Sequence, residues 1–188
     1  ISRGLVGSEM CIRDRTVTSS DGSMPLLAPM STIAGQLAFV VGSYHLLKHN
    51  KGKGVMIGHM DDMDPRVVTV IGAGVAGTQS ILKAIDNKAL VKVVDSSQSK
   101  LDDLKSKYGT ENVEYILSSK DSIQVSVNES DLVIGSVYVV GKEAPKVVTK
   151  DMLSSMNPGT VMVDVSIDQG GCFETSKPTT HDLSLIHI

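Results

Sequence analysis

Residues 67–77 read Val-Val-Thr-Val-Ile-Gly-Ala-Gly-Val-Ala-Gly, the stretch that most restricts what this chain can fold into. Five β-prone residues run directly into Gly72, Gly74 and Gly77, and a helix-compatible segment follows. This order predicts a buried strand, a tight turn and a helix. Gly72 permits the sharp turn, Gly74 lets a pyrophosphate approach the backbone, and Gly77 lets the helix pack closely on the strand. The free N–H groups at the helix N-terminus would face the phosphates. A second apolar run, residues 90–94, ends in Asp95, 18 positions after Gly77. An acid there can accept hydrogen bonds from the ribose hydroxyls of NAD and repel the 2′-phosphate of NADP. The alternative is a structural strand–helix turn that binds nothing.

The rest of the chain repeats the same alternation. Strands are expected at residues 66–71, 90–95, 113–117, 131–136 and 160–165. Helices are expected at 75–87, 97–108, 120–128 and 149–156. Continuous apolar strands separated by helices predict a parallel sheet covered on both faces. The fold class is therefore α/β: a Rossmann-type doubly wound parallel sheet, truncated at its C-terminal end. In such sheets ligands sit beyond the carboxyl ends of the strands. That rule gathers residues 72–77, Asp95, Ser118, residues 135–138 and residues 165–168 at one edge.

Ahead of the sheet, a long helix is expected from Ser31, whose hydroxyl would cap it. Ile33, Leu37, Val40, Val41, Tyr44 and Leu47 recur at helical spacing and predict one buried face. His45 and His49 lie one turn apart near its end and read as an exposed pair, without the third ligand a metal needs. Residues 48–54 form a basic glycine loop without the ending of a P-loop and read as solvated. Residues 55–57 suggest a small strand. The acidic residues 59–65 have no EF-hand register, so no metal is expected.

Composition removes several function classes. With 188 residues, 41% of them hydrophobic, the chain can bury a core of its own. A net charge of −3 and 3% aromatics offer neither an electrostatic nor a stacking basis for nucleic-acid binding. No apolar run reaches the length of a membrane span. Cys11 and Cys172 are too few for a disulfide framework, which suggests a reducing, cytoplasmic setting. Residues 1–15 and 183–188 resemble translated sequencing-adapter sequence and are expected to be non-native. The remainder divides into a lead-in segment with an inter-domain helix at 16–65 and an incomplete nucleotide-binding domain at 66–182.

A second candidate centre is Ile167-Asp168-Gln169-Gly170-Gly171-Cys172, which leaves the fifth strand at the ligand edge. On chemistry alone Asp168 is equally a turn cap or a catalytic acid. Several segments occur together in the order seen in alanine dehydrogenases: Pro25-Leu26-Leu27-Ala28-Pro29-Met30-Ser31, the glycine turn, Asp131-Leu132-Val133-Ile134-Gly135, Gly141 with Ala144-Pro145-Lys146, the Asp168 segment and Pro178-Thr179-Thr180. The chain resembles that family over about residues 16–182.

The resemblance implies oxidative deamination of L-alanine to pyruvate and ammonium, with hydride passing to NAD. It implies that Ser31 touches the cofactor, that Val75 and Ala76 line the pyrophosphate and that Asp95 binds the adenosine ribose. Lys100 and Ser118 would lie near the adenosine. Val137, Tyr138, Val165, Ser166 and Ile167 would flank the nicotinamide, and Asp168 would be the catalytic aspartate. Lys177 stands where the family commonly carries Arg, which keeps the charge but not a bidentate fork. The family's substrate-binding Arg and Lys and its acid/base His have no counterpart here. The chain is therefore expected to be a fragment, inactive alone, of a protein the resemblance makes a homo-oligomer, a hexamer. Two other readings stay open: a transhydrogenase-like or other amino-acid dehydrogenase domain, and a nucleotide-binding module without chemistry.

Overall fold

The computed structural model describes residues 20, 28–58, 64–139 and 142–178. Expectations for residues 1–15, 59–63 and 183–188, and for most of the segment before Ala28, lie outside these. Five strands form one sheet: β1 (Val67–Ile71), β2 (Leu90–Asp95), β3 (Val113–Leu117), β4 (Leu132–Gly135) and β5 (Val161–Asp164). They lie in the order β3-β2-β1-β4-β5, all parallel. Strand order reverses at β1, so the crevice between the ends of β1 and β4 is the topological switch point.

Both faces are covered. Alternate residues of β1 point to opposite sides, as the two-residue strand period requires. Val68 and Val70 pack with residues of α1 (Ala28–Leu47), α2 (Val75–Asp86) and α3 (Gln98–Tyr108), including Phe39, Ile81 and Leu101. Ile71 joins Val133, Ile123 and Val127 of α4 (Lys120–Glu129) and Met152 of α5 (Lys150–Leu153) on the other side. Thr69 also faces α4, where its hydroxyl lies 2.6 Å from that of Ser130. The strand and helix bounds in the sheet domain agree with the sequence reading to within a few residues. After β5 the chain enters a 3-10 turn, Val165–Gln169, which strand periodicity did not foreshadow.

The region before the sheet departs further from expectation. Helix α1 starts at Ala28, so Ser31 lies inside its first turns rather than capping it. Pro29 is tolerated there because a first-turn N–H has no intrahelical acceptor. The expected buried face is turned outward: Ile33, Leu37, Val40, Tyr44 and Leu47 are all exposed, and only Val41 is half-buried. The inward residues are Gly35, Ala38, Phe39, Gly42, His45 and Leu46. Close packing explains the choice. A Cβ on Gly35 would lie 2.0 Å from the Ala76 carbonyl oxygen, and one on Gly42 would lie 2.5 Å from a Leu132 methyl. Ser80 closes the contact by donating to the Gly35 carbonyl at 2.7 Å.

Three smaller expectations are also corrected. His45 is buried rather than exposed, and burial, aided by Lys48 and Lys51, lowers its pKa. The glycine loop is not fully solvated, because Lys53 Nζ reaches Asp131 Oδ1 at 2.6 Å. The other Asp131 oxygen accepts from Val67 N at 3.0 Å, so this pair ties the starts of β1 and β4 together. Residues 55–57 form no strand, and Ile57 instead plugs the core. Among the described residues, no helix is long and apolar enough to cross a membrane.

Candidate functional site

The switch-point crevice is built from three chain segments. The first is the glycine turn between β1 and α2. Gly72 has φ +96°, a left-handed conformation that disfavours any side chain, and its N–H donates to Val94 O at 2.7 Å. A Cβ on Gly77 would lie 1.8 Å from the Gly72 carbonyl oxygen and 2.6 Å from Ser136 Oγ. Ser136 Oγ in turn donates to that carbonyl at 2.7 Å, fastening β4 to the turn. Gly74 is different: a Cβ there would meet nothing within 4 Å. It is also the N-cap of α2 and supplies no side-chain hydrogen bond. The start of α2 therefore carries no capping side chain, as an anion site at a helix N-terminus requires.

Asp95 lies at the end of β2 and is only 7% exposed. Its Oδ2 accepts from Ala73 N at 2.7 Å and its Oδ1 from Ser97 N at 2.8 Å. The carboxylate thus locks the glycine turn to β2. A carboxylate has about four acceptor positions, so two remain for hydroxyl donors. Ser118 N donates to the Asp95 carbonyl at 2.9 Å, placing Ser118 beside it. Lys100 is exposed on the first turn of α3, where its N–H donates to the capping Ser97 Oγ.

The third segment, Val165–Gln169, hangs from Asp164. This carboxylate accepts from Ser166 N at 3.0 Å, Cys172 N at 2.8 Å, Phe173 N at 3.2 Å and the Ser176 hydroxyl. Ser166 Oγ donates to Val137 O at 2.8 Å and Gln169 Nε2 to Val139 O at 3.2 Å, which brace the turn against the segment after β4. Burial, reinforced by Asp164, pushes the Cys172 thiol up to about 12. It is therefore protonated at neutral pH and unsuited to nucleophilic work.

These segments and the start of α1 enclose a cleft of about 270 Å³. Of the sequence-predicted residues, Ser31, Gly74, Val75, Ala76, Val137, Tyr138, Val165, Ser166 and Asp168 line it. Gly72 and Gly77 shape the turn without lining the cleft, and Asp95, Lys100 and Ser118 lie at or just beyond the ends of β2 and β3. Ile167 is half-buried and Lys177 exposed, and neither lines the cleft. Sequence reasoning missed Asp164 and Gln169, and it placed Ser136 at the ligand edge only within residues 135–138; Ser136 and Gln169 line the cleft. The Asp-x-Ser spacing of Asp164 and Ser166, a local turn signature, could have revealed the first. Ser136 and Gln169 carry no such signal. Among the described residues no group of three or more His, Cys, Asp and Glu could hold a metal.

The parallel order β3-β2-β1-β4-β5, the glycine turn at its switch point and the acid closing β2 define a Rossmann-type α/β domain. Within that class, the chain belongs to the family described as alanine dehydrogenase/PNT, C-terminal domain, which matches residues 38–188. It is 46% identical over 182 residues to an alanine dehydrogenase of Halomonas elongata, covering 96% of this chain and 49% of that protein. An alanine dehydrogenase of Mycobacterium tuberculosis is 46% identical over 168 residues, 89% of this chain and 45% of its own length. A solved L-alanine dehydrogenase superposes with a TM-score of 0.85 at 36% identity, over 97% of this chain and 52% of that one. A Sinorhizobium meliloti transhydrogenase, at 24% identity and TM-score 0.70 over 89% of this chain and 48% of its own, shares the fold. The chain spans about half the length of the curated relatives it matches.

Proposed function

We propose that this chain is the NAD-binding domain of an L-alanine dehydrogenase that converts L-alanine, NAD and water to pyruvate, ammonium and NADH. One juxtaposition carries the reading: a single cleft holds both the open glycine turn at Gly74 and Asp168, from opposite ends of the domain sequence. NAD fits the chain's own features. The space beside Gly74 admits a pyrophosphate, and the buried acid Asp95 suits a ribose diol while repelling a 2′-phosphate. When bound, NAD supplies the hydride acceptor.

Val75 and Ala76 present first-turn N–H groups to the diphosphate, with Gly72 and Gly77 fixing the turn. Lys100 and Ser118 flank the adenosine. Ser31, Val137, Tyr138, Val165, Ser166 and Ile167 surround the nicotinamide, with Lys177 at the periphery. Asp168 orients water and stabilises ammonium character at the substrate amine. The proposed organisation is a lead-in and inter-domain helix at 16–65 and the NAD domain at 66–182, with residues 1–15 and 183–188 non-native. The substrate-binding half lies in the portion of the relatives' length this chain does not span. The complete protein is proposed to be a cytoplasmic homo-oligomer, a hexamer by family resemblance.

The test joins the chain to an upstream substrate domain and compares it with its Asp168→Asn variant. Alanine-dependent NADH formation should fall by two or more orders of magnitude, on the scale of a lost acid–base group. Unchanged deamination would remove Asp168 from the chemistry. The unextended 188-residue chain should show no alanine-dependent NADH formation.

A further inference from the structure

Asp168 is exposed on a single 3-10 turn, Val165–Gln169, that begins where β5 ends. The chain leaves this turn through Gly170 and Gly171, whose φ angles are +87° and +79°. Glycine loses more conformational freedom on folding than any other residue, so two in succession make a weak support. A carboxylate placed there keeps its direction only if contacts from outside hold the turn. Asp164 takes the N–H side, accepting from Ser166 N before Asp168 and from Cys172 N after it.

The carbonyl side belongs to the segment Ala144-Pro145-Lys146-Val147. Ala144 N donates to Gln169 O at 2.9 Å, and Val147 N donates to Cys172 O at 2.8 Å. Pro145, between them, has no N–H to offer. The carbonyls in the middle accept from a side chain instead: Lys146 Nζ donates to Gly170 O, and to Gly171 O at 2.7 Å. The successive carbonyls of residues 169–172 are thus all held by one short segment, and a single ammonium holds the two glycines. Hydrogen bonds from an ionised donor are roughly twice as strong as neutral ones. Among the described residues this ammonium has no carboxylate within ion-pair distance, so its charge is directed at the turn.

Lys146, Gly170 and Gly171 do not line the cleft, whereas Asp168 does. Any influence of Lys146 on the site therefore passes through the turn. Without the ammonium, both glycines lose their carbonyl partner and Asp164 grips the turn from one side alone. A displacement of about 1 Å at a reacting group can cost on the order of 100-fold in rate.

We propose that Lys146 is a positioning residue for the reaction: its ammonium clamps the Gly170 and Gly171 carbonyls and so fixes the direction in which Asp168 meets the cleft. This rests on the reading of Asp168 as the catalytic aspartate, and the test separates the two.

The test uses the chain joined to an upstream substrate domain and compares wild type with Lys146→Met, Lys146→Arg and Asp168→Asn. Lys146→Met keeps the side-chain bulk and removes its donors. Its alanine-dependent kcat should fall about 10–100-fold, the range that misplacing a reacting group produces. Its NADH affinity, from fluorescence titration, should stay within about twofold of wild type, because the interaction removed is not one that binds the cofactor. Lys146→Arg should recover most of kcat, since a guanidinium can donate to both carbonyls. In the Asp168→Asn background, Lys146→Met should change the residual rate by less than about twofold, because an effect transmitted through one group disappears with that group. Lys146→Gln, which keeps N–H donors without the charge, takes the place of Lys146→Met if that variant does not fold, and its kcat should fall as well. Unchanged kcat in the uncharged variant, beside a large loss in Asp168→Asn, would overturn the role of Lys146 and leave Asp168 in place. Equal losses of kcat and NADH affinity, no recovery in Lys146→Arg, or losses that simply add to that of Asp168→Asn would show a merely structural lysine and overturn the proposal too. An Asp168→Asn protein as active as wild type would overturn the catalytic reading itself, and the role of Lys146 with it.

Discussion

Gly74 and Gly77 lie three positions apart in one turn, yet the same substitution should do opposite things to them. Alanine at Gly77 would place a carbon 1.8 Å from the Gly72 carbonyl oxygen, well inside the roughly 3.5 Å at which nonbonded atoms rest. The obstacle is backbone, and Ser136 pins it from behind, so α2 itself must move. Overpacking of this severity should cost about 3 kcal/mol. In a domain of this size the melting temperature should drop by roughly 6–12 °C. Gly74 has φ −75° and ψ −164°, which alanine adopts freely, and its Cβ would meet nothing within 4 Å. The stiffer unfolded chain of Gly74→Ala offsets the poorer N-cap, leaving stability within about 0.5 kcal/mol of wild type. The added methyl instead fills the space reserved for the diphosphate, so NADH affinity should fall at least about tenfold, or 1.4 kcal/mol. Thermal melts of the 188-residue chain test the first half. NADH titration of the chain joined to a substrate domain tests the second. Equal melting temperatures for the two variants, or undiminished NADH binding by Gly74→Ala, would refute the assignment of packing to one glycine and ligand clearance to the other.

Asp95→Ala should relax the preference for NADH over NADPH and also destabilise the domain by about 2–3 kcal/mol, because Ala73 N and Ser97 N lose their acceptor. If the unmodified protein binds NADPH as well as NADH, the Asp95 assignment is wrong. Cys172 adds a pH dependence. Its folded pKa is raised, so its contribution is fully present below the unfolded thiol's pKa near 9 and is lost as pH rises toward about 12. Over that window wild type should lose stability more steeply than Cys172→Ala, by up to about 1.4 kcal/mol per pH unit. Parallel denaturation curves for the two would contradict the burial argument.

The sheet domain was legible because its signals are local. Residues 67–71, 90–95 and 113–117 are apolar runs bounded by glycine, turn residues or a capping Ser, and the strands end within a residue of the expected places. Most cleft residues were legible too, since the carboxyl ends of parallel strands must share one edge. The links between segments were not. Asp164 reads as one more residue of the fifth strand, yet it holds the turn carrying Asp168 through partners up to 12 positions away. Ser136 reads as the last residue of the fourth strand, yet its side chain secures the glycine turn.

By itself the sequence determined the parallel α/β architecture and the glycine turn with its acid, because apolar period, glycine freedom and helix-terminus chemistry act over a few residues. Only the tertiary structure decided which face of α1 turns inward. Counting apolar residues favoured the row from Ile33 to Leu47, whereas the packed domain chose Gly35, Ala38 and Gly42. The physical reason is distance of approach. Two helices whose backbones nearly touch bury more contact through small residues than through large ones, and no hydrophobicity pattern reports how near a neighbour will come. Asp168 comes beside Gly74 for a related reason: the pairing of β1 with β4 and of β4 with β5 is a property of the assembled sheet.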